Sequence, residues 1–414
     1  MSKSTLFQSS PPQLIIAIDL GGSSTKVFYY DSNGALKVLV MEPLTADVLE
    51  SEIKNHLQQL VGKVEPEDVA WVKVREKSQD EEAEVSYKVR AVGRLAKHLG
   101  GSAELKKAKF EFGVFKILAA IGVVRSRLDL PPKLTVALSV LMPWGEFVNR
   151  HQLKELLADC GSYYFNGERL SLSWWLLDFK PEGGGLGMLR GKQLAGTFKK
   201  KDTAVLMLGH RNASIVIFEK GVVQEGYTSE YGFVELVKRV QKKTPGYNFE
   251  RLTAVIIQAG YEPDKKIISR LVKTEAPELQ VKEVENTIAV IKDVQGQFGR
   301  DLGKWINEIL VDHDVDEIVV GGGAASYLKP ELEPRLKSPV VWELQNLPTN
   351  IADEGLAERL LDVYGVINYL RRKVDNLVEE QLLKQQNEQK EQPKKQAKEQ
   401  QKKQSDEQQR TEVA

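Results

Sequence analysis

Residues 15–30 read IIAIDLGGSSTKVFYY and contain the feature that decides the fold. An apolar run ends at Asp19, passes through Gly21, Gly22 and two serines, and becomes apolar again after Lys26. This pattern predicts two strands joined by a turn with little side-chain bulk. The bare turn is either a tight hairpin and nothing more, or a stretch of backbone that something else can approach closely.

Composition limits the classes of protein that the 414-residue chain can represent. The length is enough for two or more domains. Lys and Arg total 58 and so do Asp and Glu, so no global basic field draws the chain to nucleic acid or to a membrane surface. The single cysteine, Cys160, cannot form a disulfide framework and suits a reducing compartment. We expect a cytoplasmic protein without a signal peptide, a membrane span or direct contact with nucleic acid.

Two regions of the chain show the same order of predicted elements. The runs LIIAID, TKVFYY and ALKVLV predict a three-stranded meander, and the stretch from residue 202 to 226 predicts a second one. Both meanders are followed by strands that alternate with helices. The sequence therefore predicts a duplicated α/β architecture more than one doubly wound sheet.

The same pattern predicts the domain boundaries. The predicted segments are a disordered leader (1–13), domain I (14–180, with a small subdomain at about 42–110), domain II (181–372) and a tail (373–414). The tail is rich in Gln and Lys and nearly free of apolar residues. We expect it to begin as a helix and then become disordered, because it cannot bury enough apolar surface to offset the loss of chain entropy.

Three glycine-rich turns follow apolar strands and are called here the first turn (21–24), the second turn (209–212) and the third turn (321–324). One such turn would be weak evidence, because a hairpin needs glycine whether or not a ligand is present. Three of them, spread over both halves of an α/β chain, favour a clamp for phosphate and nucleoside groups. The three glycines of the third turn would let an adenine or ribose lie against the backbone.

The side chains around the first turn suit phosphate and Mg²⁺. The backbone N–H groups of residues 21–24 can form an anion-binding nest, and the hydroxyls of Ser23 and Ser24 add donors. Asp19 can hold hydrated Mg²⁺, and Lys26 can place positive charge at a β- or γ-phosphate.

These motifs resemble those of the actin/Hsp70/sugar-kinase superfamily, and most closely the ParM/StbA-like plasmid-segregation actins. The stretch from Asp19 to Lys26 is similar to the first phosphate motif, and residues 321–324 are similar to the adenosine motif. Pro181-Glu182-Gly183 resembles the first connecting segment, in which an acid positions the attacking water; Glu182 can also simply cap the following helix. The resemblance covers roughly residues 14–372. It implies an α/β fold of two duplicated actin-like (ribonuclease H-like) domains around a nucleotide cleft.

The resemblance implies particular roles for individual residues. The catalytic residues are Glu182 and Asp19, and Asp19 also holds the metal. The nucleotide-binding residues are Gly21, Gly22, Ser23, Ser24, Lys26, Gly209, His210, Arg211, Asn212, Gly321, Gly322, Gly323 and Ala324. The implied cofactors are Mg²⁺ and ATP, with GTP as the alternative nucleotide.

One position departs from the family pattern. The second phosphate motif usually begins with an aspartate two residues before its glycine, and this chain has Met207 there. A thioether is a poor ligand for a hard cation such as Mg²⁺. Arg211 in the same turn can bind a phosphate directly. The sequence thus supports nucleotide binding more firmly than hydrolysis.

The implied function is an actin-like ATPase that assembles into filaments with ATP and Mg²⁺ and segregates plasmid or other DNA through a DNA-binding adaptor. Two alternatives stay open. One is a nucleotide-sensing scaffold that has lost hydrolysis, suggested by Met207. The other is a small-molecule kinase of the same superfamily, for which Glu146 in LMPWGEF is the available base.

Overall fold

The structure is a computed structural model of the chain. It describes residues 10–76, 86–103, 109–274, 276–342, 347–348, 351 and 357–411, and only the backbone of residues 109–111 and 386–411. Most of the predicted leader, residues 1–9, lies outside the described residues.

The strands fall into two sheets. In chain order they are β1 (Leu14–Leu20), β2 (Thr25–Tyr30), β3 (Leu36–Met41), β4 (Thr45–Asp47), β5 (Trp71–Arg75), β6 (Tyr87–Val92), β7 (Lys133–Met142), β8 (Ser162–Phe165), β9 (Glu168–Pro181), β10 (Thr203–Leu208), β11 (Ala213–Glu219), β12 (Val222–Ser229), β13 (Glu317–Gly321) and β14 (Val340–Val341).

The helices pack on both faces of these sheets. In chain order they are α1 (Glu50–Leu57), α2 (Arg94–His98), α3 (Lys109–Arg127), α4 (Trp144–Phe147), α5 (Arg150–Asp159), α6 (Gly184–Leu194), α7 (Phe233–Lys243), α8 (Phe249–Ala259), α9 (Lys265–Ile268), α10 (Pro277–Val311), α11 (Ala325–Leu332) and α12 (Ala357–Thr411).

The strand order confirms the duplicated α/β architecture. The first sheet begins β3-β2-β1-β7-β9, and the second sheet has the order β12-β11-β10-β13-β14. In both, an antiparallel meander is continued by two strands parallel to its first strand. The predicted meanders are therefore present in both halves, in equivalent positions.

Domain I is the nine-stranded sheet with helices on both faces. Its buried strand β7 lies between β1 and β9, which explains its continuous apolar sequence. One face of the sheet packs on α3 and α5, and the opposite face packs on the first part of α12. Strands β8, β5, β6 and β4 extend the sheet into the small subdomain, whose core includes Ile53 and Trp71.

Domain II is the five-stranded sheet with its own helices. The outer face packs on α7, α8, α10 and α11 around Phe298 and Leu302. The inner face packs on α6, through Leu186 and Phe218. Helix α6 therefore covers one sheet while α12 covers the other.

The two inner helices meet at a pair of glycines. A Cβ atom on Gly185 of α6 would lie 1.8 Å from the Asp362 carbonyl oxygen, and one on Gly365 of α12 would lie 2.1 Å from the Gly185 carbonyl oxygen. Only glycine permits so close an approach of two helix backbones. This crossing brings the inner helices of the two sheets into direct contact.

Helix α12 extends to Thr411, whereas the sequence predicted a helix only at the start of the tail. Gln, Glu and Lys have high helix propensities and so favour continuation of the helix. None of the helices in the described part of the chain is long and apolar enough to span a bilayer.

Candidate functional site

The first turn is a hairpin between β1 and β2, as predicted. Leu20 pairs with Thr25 in the antiparallel ladder. A Cβ on Gly21 would lie 2.6 Å from the Ser24 carbonyl oxygen and 3.0 Å from Lys26 Nζ. The hairpin therefore requires glycine at position 21 even without a ligand, and phosphate contact at this turn stays a prediction.

Asp19 and Lys26 form a buried ion pair beside this turn. Their side chains lie opposite each other in the β1–β2 ladder, and Lys26 Nζ donates to Asp19 Oδ2 at 2.5 Å. Each side chain is only 11% exposed, so the two charges are weakly screened by solvent. The aspartate predicted to hold Mg²⁺ and the lysine predicted to contact phosphate thus lie together.

The second and third turns are neighbours because β10 and β13 are adjacent and parallel. Met207 pairs with Gly321 at the ends of these strands, and the Ala324 N–H donates to the Leu208 carbonyl at 3.0 Å. The start of α7 supports the second turn, since the Val234 N–H donates to the His210 carbonyl at 2.9 Å. Both turns therefore lie at the same edge of the domain II sheet.

Close packing explains the three glycines of the third turn. A Cβ on Gly321 would lie 2.4 Å from Leu186, one on Gly322 would lie 2.4 Å from the Leu208 carbonyl oxygen, and one on Gly323 would lie 2.7 Å from Arg359 Cγ. Three different elements crowd this turn. The predicted contact of Gly321, Gly322 and Gly323 with a nucleoside stays a prediction.

Arg359 of α12 joins the first turn to the third. Its Nη2 donates to Ser23 Oγ at 2.8 Å and to Ser24 Oγ at 3.0 Å. The aliphatic part of its side chain lies against Gly323. Turns on different domains are therefore connected through one side chain that the sequence analysis did not single out.

His210 places the second turn at the same cleft. Burial, together with the positive charges of Arg359 and Lys26, lowers the pKa of His210 to about 4. The imidazole is consequently neutral at physiological pH. Because the charges of Lys26 and Arg359 act on its pKa, the second turn lies near the first turn and near Arg359. The structure thus gathers residues of every predicted motif around the cleft.

Glu182 lies in the short connection between β9 and α6. Its backbone N–H donates to the Met142 carbonyl at 2.7 Å, its side chain is buried, and Gly183 follows with a φ of 93°. A carboxylate on a rigid backbone at the cleft can orient a water molecule. The role of Glu182 in hydrolysis stays a prediction.

Asp362 is a second buried carboxyl that the sequence analysis did not single out. Its two oxygens accept the N–H groups of Gly183 and Leu186 at 2.8 and 3.1 Å, at the start of α6. Burial raises the pKa of Asp362 to about 7, and the charges of Asp19 and Glu182 contribute to this increase. Asp362 therefore connects the two inner helices through an ionisable group.

We expect Asp362 to make the stability of the nucleotide-free protein depend on pH. The folded state keeps the Asp362 proton up to a pH of about 7, whereas the unfolded chain releases it near the ordinary value of 3.8. The contribution of this group to stability is therefore full below pH 4 and lost progressively as the pH rises to 7, by up to about 4 kcal/mol. The Asp362→Asn variant lacks this dependence.

Thermal unfolding of both proteins between pH 5 and 8, in EDTA, tests this expectation. The asparagine variant has one oxygen for two N–H donors and should be the less stable protein at pH 5. Its thermal midpoint should improve relative to the wild type as the pH rises. Parallel pH profiles for the two proteins would contradict the role of Asp362.

Arg211 and Asn212 have different positions in the second turn. The Asn212 carbonyl accepts the Gly209 N–H at 3.0 Å and closes the turn. Arg211 Nη1 lies 3.9 Å from Glu146 Oε1, so it faces α4 of domain I. The same helix contacts β12, because the Gly145 N–H donates to Thr228 Oγ1 at 3.3 Å. Glu146, considered above as a kinase base, therefore lies at ion-pair distance from a cation across the cleft.

The residues that sequence reasoning missed carried a detectable signal. Arg359 and Asp362 are charged residues three positions apart in a part of α12 that also contains the buried residues Leu360, Val363 and Val366; Asp362 is buried and Arg359 is half-buried. A charge within an apolar stripe is unusual and marks a candidate functional position. The sequence of α12 alone does not predict which distant residues these two charged side chains contact.

The donor set at the cleft suits Mg²⁺ bound mainly by phosphates and water. No group of three or more His, Cys, Asp or Glu residues in the described ranges forms a metal site. Met207 packs against the start of α6, with its Cγ 3.2 Å from the position of a Cβ on Gly183. Mg²⁺ commonly uses only one or two protein carboxylates in addition to phosphates, and Asp19 can be that ligand.

Two sheets that share an equivalent order of five strands, two inner helices between them and three turns at one cleft define the actin-like fold. No family model matches the sequence, and no curated protein matches it. Among solved structures, the chain is similar to Bacillus thuringiensis ParM with ATP, with a TM-score of 0.54 and 16% identity over 87% of this chain and 100% of the other.

Two further ParM structures have the same extent of similarity. One is the 15-stranded ParM filament from Clostridium botulinum, with a TM-score of 0.55 and 13% identity over 87% of this chain and 99% of the other. The other is Bacillus thuringiensis ParM with ADP, with a TM-score of 0.52, 14% identity and the same coverage. The predicted actin-like fold close to ParM is confirmed, while identities this low leave the activity to be argued from the site.

Proposed function

We propose that the chain binds ATP, or GTP in its place, in the cleft between its two domains and assembles into filaments in response. The observation that carries this proposal is the meeting of all three glycine-rich turns at one cleft, with Arg359 between the first and the third. The similarity to structures of ParM with ATP, with ADP and as a filament supports the same function.

The proposed roles follow from the positions of the side chains. Lys26, Ser23 and Ser24 bind the phosphates, and Asp19 would hold Mg²⁺, which supplies charge neutralisation at the phosphates when bound. Glu182 orients the water that attacks the terminal phosphate. Catalysis of this kind depends on positioning and electrostatics more than on covalent chemistry by the protein.

Nucleotide binding acts on assembly through the relative position of the domains. Ser23 belongs to domain I and His210 belongs to domain II, so a ligand held by both turns favours a closed cleft. The crossing of α6 and α12 at Gly185 and Gly365 is the connection about which closure occurs. A head-to-tail contact between closed copies does not close on itself and so builds a filament.

We expect light scattering by the purified protein to rise with ATP or GTP and Mg²⁺, and to stay low with ADP or without nucleotide. Phosphate release, measured in the same sample, should begin after the rise in scattering. The scattering should fall once phosphate has been released. A non-hydrolysable triphosphate is the control, since it should give scattering that does not fall. Nucleotide binding without scattering at any protein concentration would remove the filament proposal.

A second candidate, a nucleotide-sensing scaffold, is favoured by one observation. Met207 occupies the position of a family aspartate and packs on Gly183 instead of offering an oxygen ligand. The same assay distinguishes the two candidates. A scaffold would bind nucleotide and change its assembly without releasing phosphate.

We also propose a cellular role in the cytoplasm: segregation of plasmid or other DNA through a DNA-binding adaptor. The absence of net charge argues against direct binding to DNA. Filaments should therefore bind labelled DNA at physiological salt only when the adaptor is present. Salt-dependent retention of DNA by the purified chain alone would contradict this arrangement.

A further inference from the structure

Arg359 lies in the cleft with donors that remain available. Its guanidinium has five N–H donors, and Nη2 directs two hydrogen bonds to the neutral hydroxyls of Ser23 and Ser24. Within the described part of the chain, no carboxylate lies at ion-pair distance from it. Three N–H donors, on Nε and Nη1, therefore have no partner among the described residues.

The hydrogen bonds of Arg359 also orient the serine hydroxyls. Because Ser23 Oγ and Ser24 Oγ each accept an N–H, their own hydroxyl hydrogens point away from the arginine. Each serine then offers one O–H donor beside the guanidinium. Such a convergence of donors, with one positive charge, is complementary to an anion with several oxygens, such as a phosphate.

The neighbouring groups do not neutralise this charge by direct contact. The nearby cation Lys26 is paired with Asp19 at 2.5 Å. His210 is neutral at physiological pH, since burial and the two cations lower its pKa to about 4. Burial lowers the pKa of Arg359 as well, with Asp19 acting in the opposite direction. A phosphate at this position would offset the desolvation penalty of the guanidinium through Coulombic attraction.

We propose that Arg359 binds the terminal phosphates of the nucleotide and replaces part of the charge neutralisation that Met207 cannot support through Mg²⁺. This inference rests on the proposed nucleotide-binding function. It adds Arg359 to the residues that bind the nucleotide, and it predicts that a triphosphate binds appreciably without divalent cation. Gly323 contributes to the same site, because a Cβ there would displace the Arg359 side chain.

Two variants separate the charge of Arg359 from its packing. Arg359→Met keeps an unbranched apolar stem against Gly323 and removes the charge. Arg359→Lys keeps the charge and loses the planar guanidinium, whose Nη2 reaches both serines. Arg372→Met is the matched control, because Arg372 is an exposed arginine on the same helix whose Nε bonds to the Asn368 carbonyl.

Calorimetry with ATP, ADP, adenosine and tripolyphosphate, in Mg²⁺ and in EDTA, measures the effect. We expect Arg359→Met to weaken ATP and tripolyphosphate binding about 10- to 100-fold in EDTA, as for the loss of hydrogen bonds to a charged group. Adenosine binding should be unchanged, Arg359→Lys should be intermediate, and the control should equal the wild type. The thermal midpoint of Arg359→Met without ligand should be equal to or above that of the wild type.

Three results would overturn the inference. They are unchanged ATP affinity in Arg359→Met, an equal loss of adenosine and ATP affinity, and a large drop in the thermal midpoint without ligand. Each of them leaves the proposed function standing if the wild type binds ATP or GTP. If the wild type binds neither nucleotide but binds tripolyphosphate through Arg359, the phosphate site holds and the proposed function fails.

Discussion

Replacing Gly185 with alanine is expected to destabilise the protein by about 4 kcal/mol or more, enough to reduce the folded population severely. The new Cβ would lie 1.8 Å from the carbonyl oxygen and 2.8 Å from the side-chain oxygen of Asp362. Backbone atoms of a helix cannot rotate away as a side-chain tip can. Helices α6 and α12 would have to separate, and Asp362 would lose the N–H donors of Gly183 and Leu186.

The thermal midpoint and the yield of soluble protein measure this effect. Gly196→Ala is the matched control, since a Cβ at that position meets no atom within 4 Å. We expect this control to unfold at the wild-type temperature or above it. Gly365→Ala should resemble Gly185→Ala, because it enters the same crossing from the other helix. Equal midpoints for Gly185→Ala and Gly196→Ala would show that the crossing is not tightly packed.

Removing one partner of the Asp19–Lys26 pair is expected to reduce the free energy of unfolding by about 3–5 kcal/mol. Asp19→Ala leaves the Lys26 ammonium in a site where only 11% of its side chain is exposed. The loss arises from the remaining unpaired charge more than from the lost attraction. Urea unfolding followed by far-UV circular dichroism provides the measurement.

An exposed pair of equal length provides the control for this prediction. Lys292 Nζ lies 2.5 Å from Glu262 Oε2, but the two side chains are 51% and 74% exposed. Glu262→Ala should therefore change the free energy of unfolding by less than about 1 kcal/mol. The double variant Asp19→Leu/Lys26→Met should recover much of the stability lost in Asp19→Ala. If the double variant is less stable than Asp19→Ala, the proposed cause is wrong.

Local patterns were sufficient for most of the fold. The alternation of apolar runs and turns predicted both meanders. The continuous apolar run of β7 is likewise typical of a strand buried on both faces. The Asn166-Gly167 turn between β8 and β9 has positive φ at both residues, 49° and 88°, as an Asn-Gly hairpin turn requires. These features depend on residues close together in the chain, so the sequence displays them directly.

The sequence also located the turns of the site, but not the contacts between them. Because the three turns follow strands, their placement at the ends of β1, β10 and β13 follows from the local pattern. The glycines could be read as hairpin or as ligand positions, and the structure shows that Gly21 and Gly322 are already required by close packing against backbone carbonyls.

The sequence by itself determined the elements, their order, the duplicated architecture and the candidate turns, since each rests on short-range periodicity and turn chemistry. Only the tertiary structure decided which charges meet. Arg359 reaches Ser23 across 336 residues, and Asp362 reaches Gly183 across 179 residues. These contacts exist because α12 returns to the domain I sheet and crosses α6 at two glycines. No local pattern encodes such a return, because the energy that fixes it comes from burial shared between distant segments.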